Sequence, residues 1–294
     1  MTLPQLALSQ THDAPARLFE VAQSLAHRLR NGGMVNRQSL KRMMAQAFGE
    51  DDAGGAWSMR DAYDALETAQ VLHLASGRGT SGITGQPALT CLHELLLEPS
   101  AGTGMLAVHG ARAGARLLLN EHDPARADLL SRSLGEIVTR HDAEHIQDML
   151  TTEQIPTLVL INPPFSRSVG RGIDRHAGAR HLRGALASLA RGGRCVAIMP
   201  TSFSPEGSAA LGYNVVAELV PPRIEIAISG SPYAKHGTGI DVRLMIFDKG
   251  WIGVPERHVA RDIEAALDLV LAIPDRLDPL QPPPLLPPPA VSLL

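Results

Sequence analysis

The sharpest chemical signal in this chain is Asn162-Pro163-Pro164-Phe165, which closes the apolar run LVLI at 158–161. Pro163 and Pro164 each lack a backbone N–H and hold φ near about −65°, so the strand's ladder must stop and the following backbone stiffens. Such a frame serves either a plain turn with a buried Phe165 or a reaction. A second signal is LLLEPSAGTGML, in which an apolar strand runs into Glu98, Pro99 and Ser100. The turn Ala101-Gly102-Thr103-Gly104 follows and opens a helix, a place where backbone can approach a ligand closely. Ala107 completes G-x-G-x-x-A, which keeps a nicotinamide-dinucleotide site open as a rival, beside a glycine turn that only lets strand and helix pack. Glu121 ends the next strand, RLLLN, where a carboxylate can accept both hydroxyl protons of a ribose; a solvated strand end is the plainer alternative. Asp142 follows EIVTRH and could receive an exocyclic amine such as adenine's, or merely cap a helix begun by HDAEH. His141 and His145 stand four apart like metal ligands, but no third ligand is obvious and no metal is expected.

These groups need elements to converge them. From Glu94 onward, short apolar strands alternate with helices. Strands are expected at Leu95–Leu97, Arg116–Asn120, Glu136–Arg140, Leu158–Ile161, Arg194–Met199, Glu225–Ser229 and Val242–Phe247. Helices are expected after Gly104, after Pro124 and over Leu182–Leu189. This alternation predicts an α/β fold, a mostly parallel, doubly wound sheet of seven strands whose last two form an antiparallel hairpin at the edge. Residues 1–75 read as an N-terminal helical region. Leu18, Val21, Ala22, Leu25 and Leu29 share one face of a helix over 16–30, a second helix runs from Gln38 to Phe48, and Ser58 and Asp61 resemble a capping box before a third. The Gly/Ser/Thr-rich stretch 76–93 reads as a connector, 94–250 as the α/β domain, and 251–294 as a helix with a proline-rich tail or linker.

Composition sets the outer bounds. A net charge of −3 offers no global field for a polyanion, so any contact with one must be local. Aromatics are only 3% of residues, which leaves the core to Leu, Ala, Val and Ile and makes single aromatic rings stand out. Cys91 and Cys195 lie far apart, which fits a reducing cytoplasm rather than a disulfide framework. No run approaches a membrane span, and no targeting segment is expected.

In a doubly wound sheet ligands collect where the winding reverses, which brings the glycine turn and Asn162 to one crevice. The pair EPSAGTG and NPPF resembles the adenine-N6 DNA methyltransferases, Rossmann-like class I enzymes. The cofactor loop precedes the tetrapeptide by only 57 residues, similar to their gamma arrangement. From about Trp57 to Lys249 the chain is most similar to the methyltransferase domain found beside strawberry-notch-type helicases, through runs such as AYDALETAQVL, LEPSAGTGML, LNEHDP, TRHDAEHI, INPPFS and YAKHGTGIDVRLMIFDK. One departure is ASGRGTSGITGQPALTCLHE, which stands where that family carries a Thr-Pro segment.

The resemblance implies S-adenosyl-L-methionine as cofactor, held by Glu98, Pro99, Ala101, Gly102, Gly104, Glu121 and Asp142. It implies Asn162, Pro163, Pro164 and Phe165 as the catalytic group, and DNA as partner with a helicase domain or protein beside it. Adenine's amino nitrogen is a poor nucleophile, and acceptors at Asn162 Oδ1 and the Pro163 carbonyl would draw it towards attack while Phe165 stacks on a flipped base. Arg167, Arg171, Arg175, Arg180, Arg183, Arg191 and Arg194 form a local basic stretch able to meet phosphates or simply to be solvated. Gly237 and Gly239 suggest a loop bordering the crevice. Two other readings stay open: an NPPF-type enzyme acting on RNA guanine N2 or protein glutamine, and an interaction module whose cofactor site has decayed.

Overall fold

Strands as short as LLLE or LVLI bury their backbone polar groups only by pairing, and here they join one sheet. The computed structural model describes residues 14–49, 56–76, 94–165, 167–168, 172–229 and 241–276. Helices α1 (Ala14–Arg30), α2 (Arg37–Phe48) and α3 (Met59–Ser76) come first. Then follow β1 (Leu95–Glu98), α4 (Ala107–Ala113), β2 (Arg116–Asn120), α5 (Pro124–Leu134), β3 (Val138–Thr139), α6 (Ile146–Met149) and β4 (Leu158–Ile161). A short pair, β5 (Arg167–Ser168) and β6 (Gly172–Ile173), precedes α7 (Ala177–Ser188), β7 (Arg194–Pro200), α8 (Ala210–Leu219), β8 (Ile224–Ile228), β9 (Val242–Asp248), β10 (Glu256–Ala260) and α9 (Ile263–Leu271).

The main sheet has the order β10-β8-β9-β7-β4-β1-β2-β3, and only β9 runs antiparallel. It is the expected Rossmann-like, doubly wound fold, with the winding reversing between β1 and β4. Three details correct the expectation. The sheet has eight strands rather than seven, because β10 pairs in parallel with β8. Its sequence, ERHVA, lacks an apolar alternation since one of its edges stays free. The antiparallel pair β8 and β9 exists, with β9 between β7 and β8, but β10 pairs outside β8 and takes the edge. The strand expected over Glu136–Arg140 shortens to Val138–Thr139, an outer strand with a single neighbour. The stretches 77–93, 230–240 and 277–294 lie outside the described residues. With them lie the connector, Cys91, the Gly237 and Gly239 loop and the proline-rich tail.

The N-terminal helices follow the expected pattern. Leu18, Val21, Ala22, Leu25 and Ala26 of α1 pack with Leu40, Met44, Trp57, Ala62, Ala65 and Ala69, and Leu129 of α5 closes that cluster. Ser58 N–H donates to Asp61 Oδ2 at 2.7 Å and Asp61 N–H to Ser58 Oγ at 3.3 Å, the reciprocal cap read from the sequence. Helix α3 is buried on more than one face because it packs on α1, α4 and α5. Its buried Asp64 is held by Arg126 of α5 through two hydrogen bonds of 2.9 and 2.8 Å.

At the sheet edge away from the strand ends that carry the candidate site, a charged clamp ties the C-terminal segment down. Asp248, fully buried, accepts from Arg194 through both oxygens and from Arg223, and those arginines also donate to the carbonyls of Pro274 and Asp275. Arg276 then reaches Glu94 and the Thr157 carbonyl at the feet of β1 and β4.

Candidate functional site

The site lies at the carboxyl edge of β1, β2, β3 and β4. Leu97 pairs with Val159 and Leu118, so the chain leaves β1, β2 and β4 at nearly the same level. Glu98, Pro99, Ala101, Gly102 and Gly104 follow β1, Glu121 follows β2, Asp142 follows β3, and Asn162-Pro163-Pro164-Phe165 follow β4. The sequence-derived candidates therefore converge on one edge.

The glycine turn is held open by its backbone. Gly102 has φ +56° and Gly104 φ +96°, conformations that side chains rarely adopt. A Cβ on Gly104 would collide with Leu130, whereas one on Gly102 would meet nothing within 4 Å. Gly104 thus serves packing against α5, and Gly102 borders open space. Ala101 N–H donates to the Asn120 carbonyl at 2.9 Å, and Thr103 Oγ1 donates to Glu67 Oε2 of α3 at 2.9 Å, so an N-terminal helix fixes the loop from outside.

Glu121 braces the same turn: its Oε2 accepts the Gly102 N–H at 2.8 Å and its Oε1 the Asp123 N–H at 2.9 Å. Each oxygen keeps acceptor capacity for an added hydroxyl. Glu98 is 2% exposed, and its Oε2 has no hydrogen-bond partner among the described residues. Burial foremost pushes its carboxyl well above the ordinary carboxylate range; the Ala107 N–H opposes this, and the nearby Glu121 charge adds to it. A buried carboxyl with an idle oxygen is suited to receive a cationic group.

Asp142 is exposed, and its Oδ1 accepts the Glu144 N–H at 3.0 Å, capping the short turn Ala143–His145. The capping alternative is realised, and the second oxygen leaves room for an amine as well. Asp142, Glu144 and His181 bring three potential ligand atoms within 4.8 Å of one another. Arg180 already donates to Glu144 at 2.7 Å, and its cation disfavours a metal ion there. His141 and His145 do not take part in that group.

The tetrapeptide is rigid below and open above. Pro163 is buried, Pro164 and Phe165 are half-buried, and Asn162 is exposed with no side-chain hydrogen bond among the described residues. Gly178, in the first turn of α7, lets the helix close on it. A Cβ there would stand 3.2 Å from the Pro164 carbonyl oxygen and 3.5 Å from Pro163 Cγ.

Two participants escaped sequence reasoning. Asn120, 1% exposed, accepts from Thr139 Oγ1 and the His141 N–H and donates to the carbonyls of Pro99 and His141, so one amide ties three loops together. Its only sequence signal is a polar residue closing an apolar strand. His181 shares a hydrogen bond of 3.1 Å with Ser100 Oγ, and burial lowers its tendency to protonate.

The basic stretch is corrected. Arg180 is paired with Glu144 and Asp174, and Arg194 belongs to the Asp248 clamp at the far edge, so neither is spare for a phosphate. Arg175 and Arg183 remain exposed near α7, and the side chains of Arg167 and Arg171 lie outside the described residues. Among the described residues no helix is long and apolar enough to cross a membrane.

No protein-family model and no curated protein matches the chain by sequence. In chain path it is similar to a type I restriction-modification methyltransferase subunit from Streptococcus thermophilus, at 15% identity and TM-score 0.49 over 78% of this chain and 65% of that one. A modification subunit of a putative type I restriction enzyme from Vibrio vulnificus gives 15% identity and 0.44, over 76% of this chain and 55% of that one. A putative class I S-adenosylmethionine-dependent methyltransferase from Listeria monocytogenes gives 11% identity and 0.48, over 88% and 97%. The chain thus spans a little over half to about two thirds of the length of the two restriction-modification subunits.

Proposed function

We propose that this chain is an S-adenosyl-L-methionine-dependent methyltransferase that methylates the N6 amino group of adenine in DNA. The observation that carries the reading is the register of β1 against β4, which sets a glycine turn with acid partners beside a rigid Asn-Pro-Pro-Phe loop at the point where the winding reverses. The donor set fits the cofactor's chemistry: a buried Glu98 carboxyl with one oxygen unpartnered among the described residues for an ammonium, spare acceptors at Glu121 for ribose hydroxyls, the Asp142 oxygen not used in its cap for an exocyclic amine, and open space over Gly102. When bound, S-adenosyl-L-methionine supplies an electrophilic methyl group. The chain's part is to hold the nucleophile. Asn162 Oδ1 and the Pro163 carbonyl accept the two amino protons, the prolines keep those acceptors fixed, and Phe165 stacks on a base taken from a single strand or flipped from a duplex.

The resemblance to domains beside strawberry-notch-type helicases extends the reading to a helicase partner, with 94–250 as the catalytic unit and the N-terminal helices bracing its cofactor loop. The test is tritiated methyl transfer to unmethylated single- and double-stranded DNA, followed by nucleoside analysis for N6-methyladenine. Label found only in RNA or protein would move the assignment to guanine N2 or glutamine, and a chain that binds no cofactor would leave an interaction module.

Two further outcomes are expected of the cofactor site. Glu121→Ala removes acceptors for the ribose and a brace of Gly102, and is expected to weaken S-adenosylmethionine binding by roughly 1.5–3 kcal/mol, read by calorimetry. Unchanged affinity would remove Glu121 from the site. Burial raises the pKa of the Glu98 carboxyl in the free chain, whereas a bound ammonium favours the carboxylate and lowers it. In the pH range between those two values binding therefore releases a proton, and affinity rises as pH climbs towards the elevated Glu98 value. Calorimetry across a pH series in buffers of different ionisation heat measures that proton, and Glu98→Gln is expected to abolish it; identical heats in all buffers at every pH for the wild type would contradict the assignment.

A further inference from the structure

We infer that α7 links the cofactor loop to the catalytic loop, with His181 as the positioning residue through which occupancy of one alters binding at the other. The inference rests on the methyltransferase reading of the site. Its basis is the set of contacts made within one turn of a single helix. Gly178 closes on Pro163 and Pro164, with a Cβ there only 3.2 Å from the Pro164 carbonyl oxygen. Three residues on, and so on the same helix face, His181 shares its Nδ1 hydrogen bond with Ser100 of the EPSAGTG turn. Between them Arg180 fixes the roll of the helix by donating to Glu144, beyond β3, and to Asp174, before α7. His181 also stands within 4.8 Å of the Asp142 and Glu144 carboxylates, so it adjoins the loop after β3 as well.

A slide or rotation of α7 large enough to shift the Pro163-Pro164 backbone therefore breaks or reforms the bond to Ser100. Conversely, a ligand that orders the turn around Ser100 restricts α7 and with it the catalytic loop. Two sites that bias one rigid element are coupled, and the coupling acts equally in both directions. Nothing at the proposed reacting atoms is assigned to His181; it acts through the helix.

The test uses the full chain and an adenine-containing single-stranded oligonucleotide, with affinity measured by fluorescence anisotropy with and without saturating S-adenosylhomocysteine, which permits no turnover. In the wild type the two affinities are expected to differ by about fivefold or more, the lower range of measured couplings. His181→Ala is expected to bring that ratio to about one while each ligand alone binds within about twofold of wild type, since a coupling term is separable from binary affinity. His181→Asn, which retains a hydrogen-bonding atom near the Nδ1 position, is expected to restore part of the ratio. Ser100→Ala removes the same bond from the other end and keeps the test usable should the His181 variants fold poorly. An unchanged ratio in both His181→Ala and Ser100→Ala, or a ratio of one in the wild type, would overturn the inference while leaving cofactor binding and the proposed function standing. A wild type that binds no S-adenosylhomocysteine overturns the methyltransferase reading itself.

Discussion

Asn162→Ala is expected to lower methyl transfer by about 10²–10³ while cofactor affinity stays close to wild type. A preorganised acceptor that engages the reacting amine mainly in the transition state contributes on that scale. The residue is exposed and makes no side-chain hydrogen bond among the described residues, so its removal should shift folding stability by no more than about 0.5 kcal/mol. A lost rate then reports chemistry and not unfolding. Phe165→Ala provides the contrast: its deficit is expected in substrate engagement, at roughly 1–3 kcal/mol for one stacked base. Single-turnover rates at saturating and limiting DNA separate the two effects. An Asn162→Ala chain with full activity would reduce the tetrapeptide to a turn.

Asp248→Ala is expected to be the costly substitution for folding, at about 3–5 kcal/mol, because removing one partner leaves buried charge uncompensated. The carboxylate is fully buried, and both Arg194 and Arg223 depend on it. Those arginines also hold the Pro274 and Asp275 carbonyls, so the segment after α9 should loosen with it. Denaturant titration measures the loss, and a change below about 1 kcal/mol would mean that the arginines find other partners. The clamp lies at the sheet edge opposite the candidate site, so the folded fraction is expected to bind S-adenosylmethionine as the wild type does.

Several parts of this molecule were legible because they are local. The stop after Ile161 follows from two prolines, the cap at Ser58 and Asp61 from a three-residue spacing, and the face of α1 from its apolar period. β10 was not legible: ERHVA carries the pattern of a solvated loop, and only the exposed edge of β8 makes it a strand. The antiparallel pairing of β8 with β9 was legible, but the place of β9 between β7 and β8, with β10 outside them, rests on pairings between segments distant in the chain. Arg194 looked like one of a row of phosphate-seeking arginines, since nothing local says that Asp248, fifty-four residues away, sits opposite it in the sheet.

The same division runs through the candidate site. Residue type and order alone determined that Glu98, Gly102, Gly104, Glu121, Asp142 and Asn162 follow strands of a doubly wound sheet, and such strands must end on a common edge where the winding reverses. Only the tertiary structure decided which of these groups already have partners. Among the described residues Glu121 is braced against Gly102, Asp142 caps a turn, Glu98 keeps an idle buried oxygen, and the exposed Asn162 side chain has no partner. It also decided that Asn120 and His181 join the loops, because a hydrogen bond depends on distances that chain separation does not set. Backbone preference acts over a few residues and can be read in order along the chain; burial and pairing arise between residues that only the folded sheet brings together.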